Sequence, residues 1–176
     1  MKGILVIHIG SVDADILKSI TNALEKTFHI KVESGKEMAI LQESYNLKRR
    51  QYHSSTILKK IQGAKPKNFD LMLCVTDADL YVPDLNFVFG EADISSGMAI
   101  ISLARLRQEF YGLRPDEKLF QKRAIKEAIH HPDVLDRIKK IGGSVIDYKS
   151  PEELKRVMTV DLKTFSEVAA KIGLRK

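Results

Sequence analysis

The chain has 176 residues, of which 44% are hydrophobic and 30% charged, and it carries a formal net charge of +6; this composition is typical of one folded domain with a proper core. No apolar run approaches the roughly 18 residues of a membrane span, and the longest, ILVIHI, lacks the cleavage pattern of a signal peptide. The single cysteine, Cys74, excludes a disulfide framework and a multi-cysteine zinc site within one chain, so we expect a cytoplasmic protein without membrane contact.

The first half of the chain alternates predicted strands and helices. KGILVIHIG is a short apolar run closed by Gly10, which predicts a buried strand. Residues 13–28 predict a helix entered at Asp13, and HIKVE predicts a second strand. Residues 45–63, YNLKRRQYHSSTILKKIQG, predict another helix. The apolar stripes of these two helices are Ile16, Ile20, Leu24 and Phe28, and then Leu47, Tyr52, Ile57, Leu58 and Ile61.

Three further strands are predicted before the chain becomes mostly helical. FDLMLCVTD, residues 69–77, is nearly continuous in apolar residues, as in a strand covered on both faces, and it would hold Cys74 as an inert buried thiol. A turn-rich acidic piece then leads to NFVFGEA, residues 86–92, which predicts a short strand. SGMAIISLARL, residues 96–106, predicts the next one.

GLRPDEKLF marks the start of a helix, with Pro115 at the first helical position and Asp116 complementing the helix dipole. The helix reaches His130 and His131, and Pro132 predicts a break or sharp kink there. Its expected buried residues are Leu119, Phe120, Ala124, Ile125, Ala128 and Ile129. With the helical segments predicted beyond it, this order favours a three-layer α/β domain with a mixed sheet and a smaller helical C-terminal part.

Charge is distributed unevenly along the chain. Residues 47–68 carry seven basic residues and no acid, whereas residues 69–97 carry six acids and no base. The basic run suggests a surface for nucleic acid or an acidic partner. It lacks interleaved aromatic residues and a known binding motif, which favours a solvated helix face instead. Asp77 and Asp79 allow a metal-binding pair or a simple strand-end turn.

The adjacent histidines raise the question of a zinc site. A zinc-protease helix needs His at i and i+4 with Glu after the first, and the metzincin form adds Gly at i+7 and His at i+10. Counted from His130, only the first of these five positions matches; the others hold His131, Val134, Arg137 and Lys140. Counting from His131 is no better. Catalytic zinc takes about three protein ligands, and this helix offers at most two.

Two other interpretations of the histidines remain open. His130 and His131 would be stabilised at a helix end by the dipole if protonated, which requires no metal. An improvised metal site could instead combine them with Asp133 and Asp136. Adjacent helical residues point about 100° apart, so such a site needs the chain break that Pro132 could supply.

Four ordered segments nevertheless resemble the archaemetzincins, a family of zinc-dependent metalloproteases. They are RRQYHSSTIL, VTDADLYVPDLNFVFGEA, ISLARLRQEFYG and KRAIKEAIHH, within residues 45–131. The resemblance implies one metzincin-like domain over residues 1–176, with a twisted mixed sheet and an active-site-type helix in an N-terminal lobe, 1–131, and a small divergent lobe, 132–176. It also implies that an edge strand aligns peptide substrates. Its residues here are Asn86, Phe87, Val88, Phe89, Gly90, Glu91 and Ala92.

The chain departs from that family where the family continues HExxHxxGxxHC. His130 matches the first zinc ligand, but the catalytic Glu, the glycine and the other two His have no counterpart. The family's four-cysteine second zinc site is also missing. Met158 would occupy the position of the family's methionine turn, with Ser166 and Ala169 in place of two cysteines.

The leading hypothesis is therefore an archaemetzincin-like protein that has lost zinc and peptidase activity, needs no cofactor, and retains an extended peptide or protein segment as partner. One alternative is a metal-dependent hydrolase, a peptidase with zinc at an improvised site around His130 and His131. A second alternative is a binding protein that uses the basic surface for nucleic acid or an acidic partner.

Overall fold

The computed structural model describes residues 3–130. Its strands are β1 (Ile4–Ile9), β2 (Val32–Ser34), β3 (Tyr45–Asn46), β4 (Gln51–His53), β5 (Leu71–Thr76), β6 (Leu80–Tyr81), β7 (Gly90–Asp93) and β8 (Met98–Ser102). Its α-helices are α1 (Ala14–Phe28), α2 (Ser54–Ile61) and α3 (Glu117–His130). The predicted lobe 132–176, with His131 and Met158, lies outside the described residues.

A five-stranded mixed sheet forms the centre of the fold. Its order is β2-β1-β5-β8-β7, and only β7 runs antiparallel to its neighbour. Every residue of β5 and β8 is buried, because helices cover both faces of the sheet. Residues of α1 and α3 share one core cluster with the sheet, and residues of α2 share the other. The predicted three-layer α/β architecture is confirmed.

Helix α1 follows its predicted pattern closely. The Asp13 carboxylate caps it by accepting hydrogen bonds from the backbone N–H groups of Asp15 and Ile16, at 2.9 and 3.1 Å, which satisfies N–H groups that have no partner within the helix. The four predicted apolar residues are all buried. Cys74 is also buried as predicted, and burial raises the pKa of its thiol to about 12. The thiol is therefore unreactive at neutral pH.

The start of α3 differs from the prediction by two residues. Asp116 occupies the cap position, since its carboxylate accepts a hydrogen bond from the N–H of Leu119 at 2.9 Å. The first helical residue is Glu117, so Pro115 precedes the cap instead of opening the helix. Phe120, Ala124, Ala128 and Ile129 are buried as predicted, whereas Leu119 and Ile125 are only partly buried.

The predicted helix over residues 45–63 is wrong in its first half. Residues 45–53 form the hairpin of β3 and β4, and β6 joins β4 to complete a second, three-stranded sheet. The Asn46 side-chain oxygen accepts the N–H groups of Lys48 and Arg49, both at 3.1 Å, and Arg50 has a φ of 55°. These contacts favour a turn over a helix. Leu47, expected on a buried stripe, is 82% exposed at the turn.

Candidate functional site

Strand β7 is the outermost strand of the five-stranded sheet, as expected for an edge strand. The N–H of Ser102 donates to the carbonyl of Phe89 at 2.7 Å, and Glu91 lies opposite Ile100. Because bonded and non-bonded pairs alternate in an antiparallel ladder, the backbone groups of Gly90 and Ala92 point away from β8. No hydrogen bond from another described segment occupies them. Among the described residues, the outward backbone groups of β7 are therefore unpaired.

The free part of the edge is shorter than the sequence predicted. Residues 86–92 were expected to form a strand, whereas β7 begins at Gly90. The N–H of Val88 donates to the carbonyl of Leu80 at 2.9 Å, so β6 covers the edge there. The carbonyl of Asn86 accepts the Gln51 side-chain amide at 2.9 Å. The segment before β7 is thus occupied by contacts within the protein.

A polar network centred on Asp79 holds this segment. The Asp79 carboxylate accepts two hydrogen bonds from Arg105, at 2.7 and 2.8 Å, and a third from Gln51 at 3.0 Å. The Asp79 and Arg105 side chains are only 15% and 21% exposed. Such two-point pairing fixes orientation as well as distance. Arg49 extends the network by donating to the Gln51 side chain at 3.0 Å and to the Asn86 carbonyl at 3.1 Å.

The same arginines also contact aromatic rings beside the edge. The Arg105 guanidinium lies between the rings of Phe87 and Phe110, 4.2 and 4.6 Å from their centroids. Arg49 lies 4.4 Å from the centroid of Tyr81. The Arg105–Phe87 cation–π contact joins the segment preceding β7 to the chain that follows β8, and the Arg49–Tyr81 contact joins the hairpin turn to β6.

Glu91 anchors the middle of β7 to helix α2. Its carboxylate accepts hydrogen bonds from the hydroxyls of Ser54 and of Ser55, the latter at 2.8 Å. Ser54 is fully buried and also contacts the Tyr81 carbonyl at 3.2 Å. The carboxylate lies at the N-terminal end of α2, where the helix dipole favours negative charge. The expected peptide-binding residue Glu91 therefore positions the strand from its inner side.

Asp77 and Asp79, for which the sequence allowed a metal-binding pair or a strand-end turn, follow the end of β5 and bind arginines. Asp79 binds Arg105 as above, and Asp77 lies 3.2 Å from Arg107. Each carboxylate is thus already engaged by a cation. This pairing was not visible in the sequence, where the partners are separated by 26 and 30 residues.

The basic run is not a single helix face. It covers the β3–β4 hairpin, α2 and the residues after α2. Arg49 is used in the network, Lys60 pairs with Glu43 at 2.8 Å, and Lys65 donates to the Phe69 carbonyl at 3.0 Å. Lys48, Arg50 and Lys59 remain exposed. Nucleic-acid binding stays a prediction that no contact in the described residues favours.

His130 is the last residue of α3 and is partly buried. Burial lowers the pKa of its imidazole, and the neighbouring Lys126 lowers it further, so the surroundings favour the neutral form despite the helix dipole. Within residues 3–130, no three His, Cys, Asp or Glu side chains are grouped to hold a metal ion. Of the positions at which the resemblance implies zinc ligands, the described residues include only His130. His131, Asp133 and Asp136 lie outside them.

Within residues 3–130, no helix combines the length and apolar character needed to cross a bilayer.

Comparison with known proteins matches residues 4–135 to the model of "Peptidase family M54". The archaemetzincin of Methanocaldococcus jannaschii is 43% identical over 122 residues, which are 69% of this chain and 65% of that protein, so the match spans just under two thirds of the relative. A solved zinc-dependent peptidase from Methanocorpusculum labreanum aligns with a TM-score of 0.66 at 27% identity, covering 75% and 78% of the two chains. The solved archaemetzincin of Archaeoglobus fulgidus aligns with a TM-score of 0.61 at 31% identity, covering 74% and 75%.

Proposed function

This chain belongs to peptidase family M54, the archaemetzincin family, and we propose that it holds an extended peptide at β7 without hydrolysing it. Zinc binding and peptidase activity are lost in this proposal, and peptide recognition is kept. The partner is an unfolded peptide or a protein segment that adds a strand to the sheet.

The observation that carries the proposal is the free backbone edge of β7. Gly90 and Ala92 direct N–H and carbonyl groups outward, and the strand is anchored by the Glu91 contacts with α2. An added strand gains main-chain hydrogen bonds that depend on no particular side chain and on no metal. Because the edge is already fixed, little ordering of the protein accompanies binding.

The loss of catalysis is argued from the residues at the family's motif positions. His131 replaces the general base, and Val134, Arg137 and Lys140 replace the glycine and two ligands. Zinc in a hydrolase supplies a water of lowered pKa as the nucleophile. His130 alone cannot provide the ligand set for it, so this chain's own residues bind and orient a peptide but do not activate water.

The competing function is a metal-dependent peptidase. The solved structure from Methanocorpusculum labreanum is a zinc-dependent peptidase. Its similarity to this chain favours the alternative. It requires that His130 and residues beyond it, such as His131, Asp133 and Asp136, assemble an improvised site.

Substitution of Ala92 tests the proposal. Fluorescein-labelled random peptides, acetylated and amidated at their ends, are titrated with protein and followed by anisotropy. Ala92→Pro removes an outward N–H and places a ring on the edge, so affinity is expected to fall at least about tenfold. Ala92→Ser keeps the N–H and is the matched control, with affinity expected within about twofold of the parent chain. Equal affinity of both variants would overturn peptide addition at β7.

Hydrogen exchange of the unsubstituted chain provides a second test that does not depend on how Ala92→Pro folds. The amides of Gly90 and Ala92 are expected to exchange fast in the free protein and slowly with peptide, whereas those of Glu91 and Asp93 are protected in both. Mass spectra of the same peptides after incubation with zinc-loaded protein should show no cleavage. Cleavage that His130→Ala abolishes would establish the peptidase instead.

A further inference from the structure

A cleft of about 480 Å³ lies beside the β3–β4 hairpin, away from the end of α3. Its walls come from the chain before the hairpin, the hairpin turn, the first turn of α2 and β6. The polar side chains that matter for its chemistry are Glu43, Asn46, Lys48, His53, Thr56 and Tyr81. Neither the family motif nor the proposed peptide edge accounts for this cleft.

Several side chains of the cleft can donate hydrogen bonds to an occupant. Lys48 is exposed, and within residues 3–130 no carboxylate pairs with its ammonium group. The Tyr81 hydroxyl accepts from the Asn46 side-chain amide at 3.2 Å, which leaves its own hydrogen to donate. The one carboxylate in the wall, that of Glu43, already binds Lys60 at 2.8 Å. An anionic group is the occupant that this arrangement favours.

His53, which lines the cleft, has a ring nitrogen without a hydrogen-bond partner among the described residues. Its Nδ1 contacts the Thr56 hydroxyl at 2.7 Å, and its ring lies 5.1 Å from that of Tyr81. Its Nε2 is buried, and no hydrogen-bond partner for it exists among the described residues. A buried polar atom without a partner is unfavourable. When Thr56 donates to Nδ1, the proton resides on Nε2, which is then a further donor.

The cleft and the peptide edge share a structural element. Ser54 contacts both the Tyr81 carbonyl and the Glu91 carboxylate. Val88, two residues before the start of β7, pairs with Leu80 of β6. The other residue of β6 is Tyr81, which lines the cleft. A peptide paired antiparallel to β7 has its C-terminus at the Gly90 end, which is the end nearer to β6.

We infer that this cleft binds a carboxylate group, with Lys48 and the Tyr81 hydroxyl as its principal contacts. A single ammonium with neutral donors matches a monoanion, whereas phosphate groups are usually bound by arginine clusters or several backbone N–H groups. The carboxylate belongs either to the C-terminus of a peptide at β7 or to a small free acid. The peptide source rests on the proposed function; the cleft itself does not.

Titration of the full-length chain with sodium acetate tests the inference, followed by its ¹H–¹⁵N spectrum and by the ring signals of His53. Saturable shifts are expected at Lys48, His53 and Tyr81. Lys48→Gln should weaken acetate binding at least about fivefold. Lys59→Gln, which neutralises an exposed lysine outside the cleft wall, is the matched control and should leave binding unchanged. Tyr81→Phe, which keeps the ring, should weaken binding to a smaller extent.

Absence of saturable shifts, equal effects of the two lysine substitutions, or tighter binding of inorganic phosphate would each overturn the inference.

Paired peptides that end in a free carboxylate or an amide distinguish the two sources of the carboxylate. A preference for the free carboxylate that disappears in Lys48→Gln assigns the cleft to the peptide's end. No preference, with acetate still bound, assigns it to a free acid. Because the amidated peptides test peptide binding at β7 alone, carboxylate binding in the cleft and peptide binding at β7 can be refuted independently.

Discussion

Strand β7 and the end of helix α3 both lie in the part of the chain that matches the archaemetzincin family, yet their surroundings differ. The strand is fixed by side chains from α2, and the segment before it is held by Gln51 of β4 and by Arg105 from the chain after β8. His130 ends its helix without a metal-holding group of three residues among those described.

A metal centre and a peptide-binding edge strand depend on different interactions. A metal centre requires about three ligands at once, so loss of two abolishes it. An edge strand requires only outward backbone groups and contacts behind them. The hydrogen bonds behind β7 and the segment before it come from α2, β4 and the chain after β8, and none of those described above involves α3. The proposal that peptide recognition is kept while catalysis is lost rests on this difference.

The largest expected effect comes from Asp79→Ala, which breaks the network behind the edge. Arg105 then keeps a largely buried charge without its partner, so the free energy of unfolding should fall by about 3 kcal/mol, and peptide affinity should fall with it. Urea denaturation measures the loss. Asp77→Ala is the control, because its pair with Arg107 is longer and more exposed; about 1 kcal/mol or less is expected. Equal losses for both variants would contradict the central position of Asp79.

A smaller effect is expected from Glu91→Ala. Two serine hydroxyls lose a charged acceptor, and Ser54 is buried, so the loss should be about 2 kcal/mol. Glu91→Gln retains an acceptor oxygen and should lose about half as much. Thermal unfolding with peptide anisotropy measures both consequences. If Glu91→Ala destabilised the chain but left peptide affinity unchanged, the strand's position would not depend on this anchor.

His130→Ala is expected to have little effect on stability or on peptide affinity. The side chain is partly buried at a helix end, so stability should change by about 1 kcal/mol or less. Peptide affinity should stay within about twofold of the parent chain. The same anisotropy titration serves as the measurement. A large loss of affinity would mean that the helix end takes part in peptide binding.

The smallest effect concerns Asp93, at the end of β7. Hydrogen bonds from Ser95 and Ser96 hold the pKa of this carboxyl below its usual value. Its contribution to stability is therefore present above the unfolded-state pKa and is lost as pH falls through the folded-state pKa. Because this carboxyl is largely exposed, solvent screening keeps its contribution small, so Asp93→Asn should lower the free energy of unfolding by about 0.5 kcal/mol or less at neutral pH and should reduce the loss of stability at acidic pH. Unfolding curves measured from neutral to acidic pH test both, and an unchanged slope would contradict the assignment.

Much of the central fold was predictable because its signals are local. The Asp13 cap, the helical spacing from Ile16 to Phe28, and the continuous apolar runs of β5 and β8 each lie within a few residues. The expectation of an edge strand ending at Ala92 came from the family resemblance. The hairpin at residues 45–53 was missed because Leu47 and Tyr52 also fit a helical stripe. The amide of Asn46 was the available sign of a turn.

The contacts around the edge could not be predicted because they join distant parts of the chain. Ser55 and Glu91 are 36 residues apart, and Asp79 and Arg105 are 26 apart. Without those pairings, the sequence allowed Asp77 and Asp79 either a metal-binding role or a strand-end turn, and it gave no sign of their arginine partners. The donors of the cleft are likewise assembled from separate elements, so only their placement in space reveals an anion site.

The proposed loss of the zinc site is tested most simply by the zinc content of the untagged chain after incubation with zinc and desalting. An untagged chain is needed because a histidine tag binds zinc itself. We expect a zinc-to-protein ratio near zero, together with peptide binding that a chelator does not change. A ratio near one would show that ligands outside the family's motif hold the metal, and would contradict the loss of the zinc site.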